Sequence, residues 1–231
     1  GHGRAPQGRT SEVARPMKWK ITTTQDGFSS QEVSRCTQAL KAGWTGIIPT
    51  DTVYGIAGLA TDPHAVSRIL EIKERPPDKP LPVQADSLQS AARLASFKDP
   101  VAAALARDFW PGGLTLVLER RGRLELPFQD GDTIGIRIPA SAFCRALARA
   151  AGYLVVPSAN PPGTASPVEP SDIDRGVVDA ADFLVDCGPC PGGVESTVVS
   201  LVGGIEVLRE GAIPAETVMG AVRRAMGEES D

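Results

Sequence analysis

Three cations, Lys73, Arg75 and Lys79, gather around Pro76, Pro77 and Pro80. Proline pushes the residue before it out of the helical region, so these charges stand on stiff, non-helical backbone. Upstream, Pro49-Thr50-Asp51-Thr52 places two hydroxyls and a carboxylate directly after residues 44–48, an apolar run that reads as a strand. In open α/β sheets, ligands bind at the carboxyl ends of strands. Hydroxyls at one edge and fixed cations at another predict a site for an anionic, phosphate-bearing ligand. Further polar residues follow strands or interrupt loops: Arg137 near the end of a strand over 133–138, Ser158 and Asn160 after 153–157, Ser196 and Thr197 opening 197–202, and Arg209 closing 205–208. Each has a bland reading, a helix cap for Thr50 or Ser158 and a surface ion pair for Arg137 or Arg209. Together they point further, because several stand beside Pro or Gly, where a side chain is positioned and not merely solvated. A site of Arg, Lys, Ser, Thr and Asn suits phosphoryl or nucleotidyl transfer, where catalysis is mostly positioning and charge neutralisation.

Other chemistries are excluded or disfavoured by what the 231 residues lack. There is no G-x-x-x-x-G-K-[ST] and no G-x-G-x-x-G opening a helix after a strand. With two histidines, one at His2 and one, His64, in the first turn of a predicted helix, a Ser-His-Asp triad is not assembled. Ser158-Ala159-Asn160 lacks the companion motifs of a β-lactamase. Cys187-Gly-Pro-Cys190 has no second pair for zinc and is followed by Pro191-Gly192-Gly193 instead of a helix, so it reads as a tight loop. Cys36 and Cys144 lie in amphipathic patterns and read as small core residues. A net charge of −4 gives no global attraction to nucleic acid or anionic membrane, so such contacts would need a local basic patch. No apolar run is long enough to span a bilayer.

The positioning elements alternate. A capping box, Ser29-x-x-Glu32, opens a helix over 29–42 that Gly43 closes. Asp62-Pro63 opens a second helix that must stop near Arg75. A strand at 81–85, helices at 87–95 and 100–109, strands at 114–119 and 133–138, a helix at 142–151 and a strand at 153–156 follow. A helix at 172–180, a strand at 183–186 and a late hairpin, 197–202 with 205–208 about Gly203-Gly204, complete the series. This order predicts a single α/β domain over 21–226, with a mixed sheet flanked by helices, after a basic leader or expression scar over 1–20 and before a frayed acidic tail over 227–231.

Seven segments in order identify a resemblance: PTDTVYG at 49–55, KERPPDKPL at 73–81, WPGGLTLVL at 110–118, GIRIP at 135–139, PSAN at 157–160, ESTVV at 195–199 and LREG at 208–211. The chain closely resembles the YrdC-type threonylcarbamoyl-AMP synthases, in their short, single-domain form. The resemblance implies a twisted α/β sheet with a large, concave, basic cavity. It also implies a nucleotidyltransferase that makes threonylcarbamoyl-AMP and pyrophosphate from L-threonine, bicarbonate and ATP, with Mg2+, for the threonylcarbamoyl-adenosine modification of tRNA. By position, Lys73, Arg75, Ser158 and Asn160 resemble the family's central catalytic quartet. Thr52, Gln84, Arg137, Ser158 and Ser196 resemble its threonine contacts, and Arg75, Lys79, Thr133, Asn160, Ser166 and Arg209 its ATP contacts. No resident metal ligand is implied. Gln84 stands where a histidine is frequent, and Pro161-Pro162 where a Ser-Gly is common. Implied partners are transferase proteins downstream and tRNA or double-stranded RNA, with no membrane, in the cytoplasm or, if the basic leader is native, an organelle. Two alternatives stay open: a carbamoyl-adenylate-forming paralogue, and an RNA-binding module that does not catalyse.

Overall fold

A computed structural model describes residues 17–76, 81–122, 124–129 and 131–227. Most of the expected leader, the end of the tail and Lys79 lie outside the described residues. The strands are β1 (Trp19–Thr22), β2 (Gly46–Ile48), β3 (Gly55–Leu59), β4 (Val83–Gln84), β5 (Leu114–Glu119), β6 (Thr133–Arg137), β7 (Leu154–Val155), β8 (Phe183–Asp186), β9 (Thr197–Ser200) and β10 (Glu206–Arg209). The helices are α1 (Ser30–Lys41), α2 (Pro63–Ile72), α3 (Leu88–Leu94), α4 (Pro100–Phe109), α5 (Ala142–Ala151), α6 (Arg175–Ala180) and α7 (Ala215–Met226). Among the described residues these strands form one mixed sheet in the order β1-β8-β2-β3-β7-β4-β6-β5-β9-β10.

The sheet is covered on both faces, and the period of two along each strand decides which side chain goes where. Ile48, Ala57, Leu154, Phe183 and Val185 bury against α1 and α5, with Cys36, Leu40, Phe143, Cys144 and Leu147. Their immediate neighbours Ile47, Ile56, Val155 and Leu184 join the larger core, with Val66 and Ile69 of α2 and Val218 and Val222 of α7. Burial on both faces leaves β2 with no polar position, which is why Gly-Ile-Ile reads as a continuous apolar run.

The helix caps are local chemistry. Ser29 and Glu32 form the expected reciprocal box at α1, and Asp62 accepts from the His64 and Ala65 amides ahead of α2. Several elements depart from the sequence expectation. β3 has no counterpart in the expected series. A Cβ on Gly58 would stand 2.8 Å from Ile69 Cδ1 and one on Gly55 2.5 Å from Val156 Cγ1, so these glycines let a helix and a neighbouring strand approach closely. α7 has Pro214 at its start and no side-chain cap, the signal by which the other long helices announce themselves. The helix expected over 172–180 divides into a 3-10 turn, Pro170–Asp172, and α6, because the Asp174 carboxylate accepts from the Gly176 and Val177 amides and restarts the chain there. β1 also takes in Trp19 and Lys20, which the sequence reading assigns to the leader.

Candidate functional site

A cavity of ≈ 570 Å³ opens over the β4–β6–β5–β9 part of the sheet. Register builds its floor: Gln84 of β4 pairs with Arg137 of β6, Val117 of β5 with Gly135, Glu119 with Thr133, and Thr115 with Val198 of β9. Alternation puts Arg137, Gly135 and Thr133 on one face, and all three line the cavity with Gln84, Thr115, Val117 and Val198. From Arg137 to Thr133 the strand rises about 13 Å. The two ends of the floor therefore address different parts of an elongated ligand.

At the Arg137 end the groups are buried and mutually held. The Arg137 side chain donates through Nε to the Gly112 carbonyl at 2.9 Å and through Nη1 to Thr52 Oγ1 at 3.2 Å. Asp51 Oδ2 lies 2.8 Å from Nη2, off that N–H's hydrogen-bonding direction. Nη2 and Asp51 Oδ1 are left without a hydrogen-bond partner among the described residues, so one edge of the guanidinium fork has capacity for a ligand oxygen. The Thr50 hydroxyl fixes the loop by donating to the Val53 carbonyl at 2.6 Å and accepting from the Thr52 and Val53 amides. Ser196 Oγ and Thr115 Oγ1 are 2.9 Å apart. Gln84 is buried beside Arg137 with its Oε1 unpartnered among the described residues.

Half-exposed cations stand along the rim, and one of them reaches the Arg137 end: Arg209 pairs with Val198 and Val198 with Thr115, and Arg209 Nη2 donates to Ser196 Oγ at 3.3 Å. Lys73, the C-cap of α2, sends its ammonium to the Ser158 carbonyl and hydroxyl at 2.8 and 3.3 Å, and to the Asn160 carbonyl and Oδ1 at 2.6 and 2.8 Å. The Asn160 amide donates in turn to the Thr164 carbonyl at 2.7 Å. Burial, with Arg75 and Arg209 nearby, pushes the Lys73 ammonium down to about 8 against the opposing pull of Glu195. Burial and Arg209 likewise lower Arg75. Arg209 binds the Ser196 carbonyl through Nε and Nη2 at 3.1 and 2.9 Å, and Glu195 through Nη1 at 2.8 Å. Ser166 donates to Glu195 at 2.9 Å.

Thus Thr52, Gln84, Arg137, Ser196, Lys73, Arg75, Ser158, Asn160, Ser166, Arg209 and Thr133 all line a single cavity, with Thr133 four residues along β6 from Arg137 and Arg209 in direct contact with Ser196. Lys79 lies outside the described residues. Sequence reasoning missed two carboxylates, Asp51 and Glu195, as working parts of the site. Both sit inside segments it singled out, and the signal was an acid flanked by hydroxyl residues at a strand terminus.

The Cys187–Cys190 loop lies behind the Thr52 loop. The Tyr54 hydroxyl donates to the Gly188 carbonyl at 2.7 Å and accepts from the Cys187 amide, while the Gly193 amide donates to the Thr52 carbonyl at 2.9 Å. A Cβ on Gly192 would stand 2.6 Å from the Asp51 carbonyl oxygen. Burial pushes the thiols of Cys187 and Cys190 up to about 12 and about 11, which keeps both protonated and unreactive. Among the described residues every cysteine is a free thiol, and the tight-loop reading describes what this segment does.

Comparison with known proteins gives a consistent set of relatives. The model of the Sua5/YciO/YrdC family, described as telomere recombination, matches residues 38–211. The threonylcarbamoyl-AMP synthase of Pyrococcus abyssi (strain GE5 / Orsay) is 35% identical over 182 residues, which are 78% of this chain and 54% of that protein. The threonylcarbamoyl-AMP synthase of Bacillus subtilis (strain 168) is 32% identical over 206 residues, 87% of this chain and 60% of that one. The crystal structure of P. abyssi Sua5 complexed with L-threonine superposes with a TM-score of 0.79 at 30% identity, over 90% of this chain and 61% of that one. The chain therefore spans between half and two thirds of the length of these relatives.

Proposed function

Because this chain belongs to the Sua5/YciO/YrdC family, we propose that it is an L-threonylcarbamoyladenylate synthase, forming threonylcarbamoyl-AMP and pyrophosphate from L-threonine, bicarbonate and ATP. One observation carries this reading. A single cavity is lined both by the buried Arg137 and Thr52, hydrogen-bonded to each other, and by the cations Lys73, Arg75 and Arg209. An amino acid and a polyphosphate are the two ligands these two sets of side chains fit, and L-threonine is the ligand of the P. abyssi Sua5 crystal structure.

In this reading Arg137 Nη2, which faces Asp51 at 2.8 Å and makes no hydrogen bond among the described residues, takes the threonine carboxylate, and Thr52 and Ser196 orient the amino acid's polar atoms. Gln84 supplies an amide beside Arg137. The threonine amine condenses with bicarbonate to a carbamate, and a carbamate oxygen attacks the α-phosphorus of ATP as pyrophosphate leaves. Lys73, fixed by four oxygen acceptors, and Arg75 stand where negative charge accumulates on the phosphate, and preorganised charge of this kind is where nucleotidyl transfer gains most. Arg209, Ser166 and Thr133 hold the rest of the nucleotide, with Asn160 and Lys79, and magnesium enters on the ATP as part of the substrate. The product would pass to a transferase that modifies adenosine in tRNA. No helix among the described residues is long and apolar enough to cross a membrane.

Pyrophosphate release from ATP and bicarbonate, compared with L-threonine, L-serine and no amino acid, tests the reading. Release that requires threonine supports it. Release without any amino acid would move the assignment to a carbamoyl-adenylate-forming activity, and no release by folded protein would remove the enzymatic reading altogether.

A further inference from the structure

One charge at the cation cluster has the wrong sign for a site that receives phosphates. Glu195 lines the same cavity as Lys73, Arg75 and Arg209. Its side chain is 30% exposed, and each oxygen is engaged: Oε1 accepts from Ser166 at 2.9 Å, and Oε2 faces Arg209 Nη1 at 2.8 Å. Ser158 is among the groups that favour its charged form, and the Ser158 hydroxyl oxygen lies 3.3 Å from Lys73 Nζ. A carboxylate held by the Ser166 hydroxyl and Arg209, beside the Ser158 hydroxyl that contacts the half-buried Lys73 ammonium, has the set of contacts an incoming phosphate oxygen would make. Burial alone would raise Glu195. Ser158, Arg209, Ser166 and Lys73 outweigh it and hold the carboxyl below the usual carboxylate range, so it is an anion at neutral pH.

We propose that Glu195 is a displaceable internal counter-ion. In the empty cavity it takes the place of a phosphate among Arg209, Ser158 and Ser166, and the polyphosphate of the substrate takes those partners when it binds. The idea rests on the reading of this rim as the nucleotide's phosphate site. It makes Glu195 a positioning residue: it holds the cations at phosphate spacing while the site is empty, and it competes with the ligand for them. A backbone feature lets the side chain swing without moving the strand. The Glu195 carbonyl is anchored by the Ala212 amide at 2.7 Å, and a Cβ on Gly211 would come 2.2 Å from that carbonyl oxygen, so the main chain is fixed and only the side chain is free to leave.

The sign of one substitution decides the matter. Titration calorimetry would compare the intact chain with Glu195→Gln and Glu195→Asp, using ATP and inorganic tripolyphosphate as separate probes, with thermal unfolding to establish that each variant is folded. Removing the competing charge should tighten tripolyphosphate binding by about five- to tenfold in Glu195→Gln, the scale of one partly exposed charge contact. Glu195→Asp, which keeps the charge, should not share the gain. Equal or weaker tripolyphosphate binding in a folded Glu195→Gln would overturn the proposal and leave Glu195 as a brace for Arg209, and so would an equal gain in Glu195→Asp. If tripolyphosphate tightens while ATP binds to neither protein, the counter-ion stands and the nucleotide reading fails.

Discussion

The two ends of the cavity are built on opposite principles. Around Arg137 the groups are buried, Arg137 being 5% exposed and Thr52 3%, and they hold one another, while Arg137 Nη2, Asp51 Oδ1 and Gln84 Oε1 have no hydrogen-bond partner among the described residues. Among the rim cations the Arg209 side chain is 46% exposed, and Lys73 is held by backbone, hydroxyl and amide oxygens. Discrimination between small, similar molecules needs fixed donors that go unpaired when the wrong ligand enters. Neutralising a polyphosphate needs charge at the right distance and room for the ligand to arrive and leave. Under the proposed function, the difference separates selecting from activating and places each on the kind of structure that suits it.

Perturbing one end without the other tests that division. The largest effect is expected from Lys73→Ala, which removes a charge from the activating end: turnover should fall by about 10²- to 10³-fold while the KM for threonine moves little, as steady-state pyrophosphate release would reveal. Arg137→Lys keeps the charge and loses the fork, so the threonine KM should rise by about tenfold or more with ATP affinity, read by calorimetry, nearly unchanged. A matching rise in both constants would mean the two ends are not separate. Gly192→Ala forces a Cβ to within 2.6 Å of the Asp51 carbonyl, and a loss of about 1–3 kcal/mol of stability in chemical denaturation should come with weaker threonine binding, not weaker ATP binding.

The smallest effect is a pH dependence. Lys73 is pushed down to about 8, first by burial. Above that pH it loses its proton in the folded protein, so phosphate affinity should decline as pH rises through 8. Folding stability should move the other way between about 8 and the unfolded lysine value near 10.4, because over that window the unfolded chain binds the extra proton. Lys73→Arg, which does not titrate there, should flatten the affinity profile; an unchanged profile in that variant would remove Lys73 as its source.

Much of this was legible before any coordinates. The strand Leu114–Glu119 and the helix Ala142–Ala151 coincide with their expected limits, because each is long, periodic and, for the helix, capped by Ser141 and closed by Gly152. Thr52, Arg137, Ser158, Asn160, Ser196 and Arg209 were singled out by their placement beside strand ends, Lys73, Arg75 and Lys79 by their prolines, and Gln84, Thr133 and Ser166 by the family resemblance alone. What was hidden depended on contacts between distant segments. β3 could not be read because its glycines serve the approach of α2 and β7, and a glycine carries no record of what lies against it. The strand expected over 44–48 begins at Gly46 because the Thr45 amide is taken by the Asp182 carboxylate at 2.9 Å, 137 positions away. Glu195 was not singled out, because its partners Arg209 and Ser166 come from distant segments that only the fold brings together in the cavity.

The tie between Gly192, Gly193 and the Thr52 loop has a bearing on how the protein is made. The loop around Thr52 is built from residues near position 50, yet a segment synthesised some 140 residues later packs against it. As the chain leaves the ribosome, the early strands and α1 can pair and collapse, but the Thr52 loop has no back wall until the Tyr54 hydroxyl finds the Cys187–Gly188 turn and β9 slides in beside β5. Contacts of such long sequence separation form late. A nascent or proteolytically shortened chain that ends before the Cys187 loop would therefore be well on its way to folded and still be blind to its substrate.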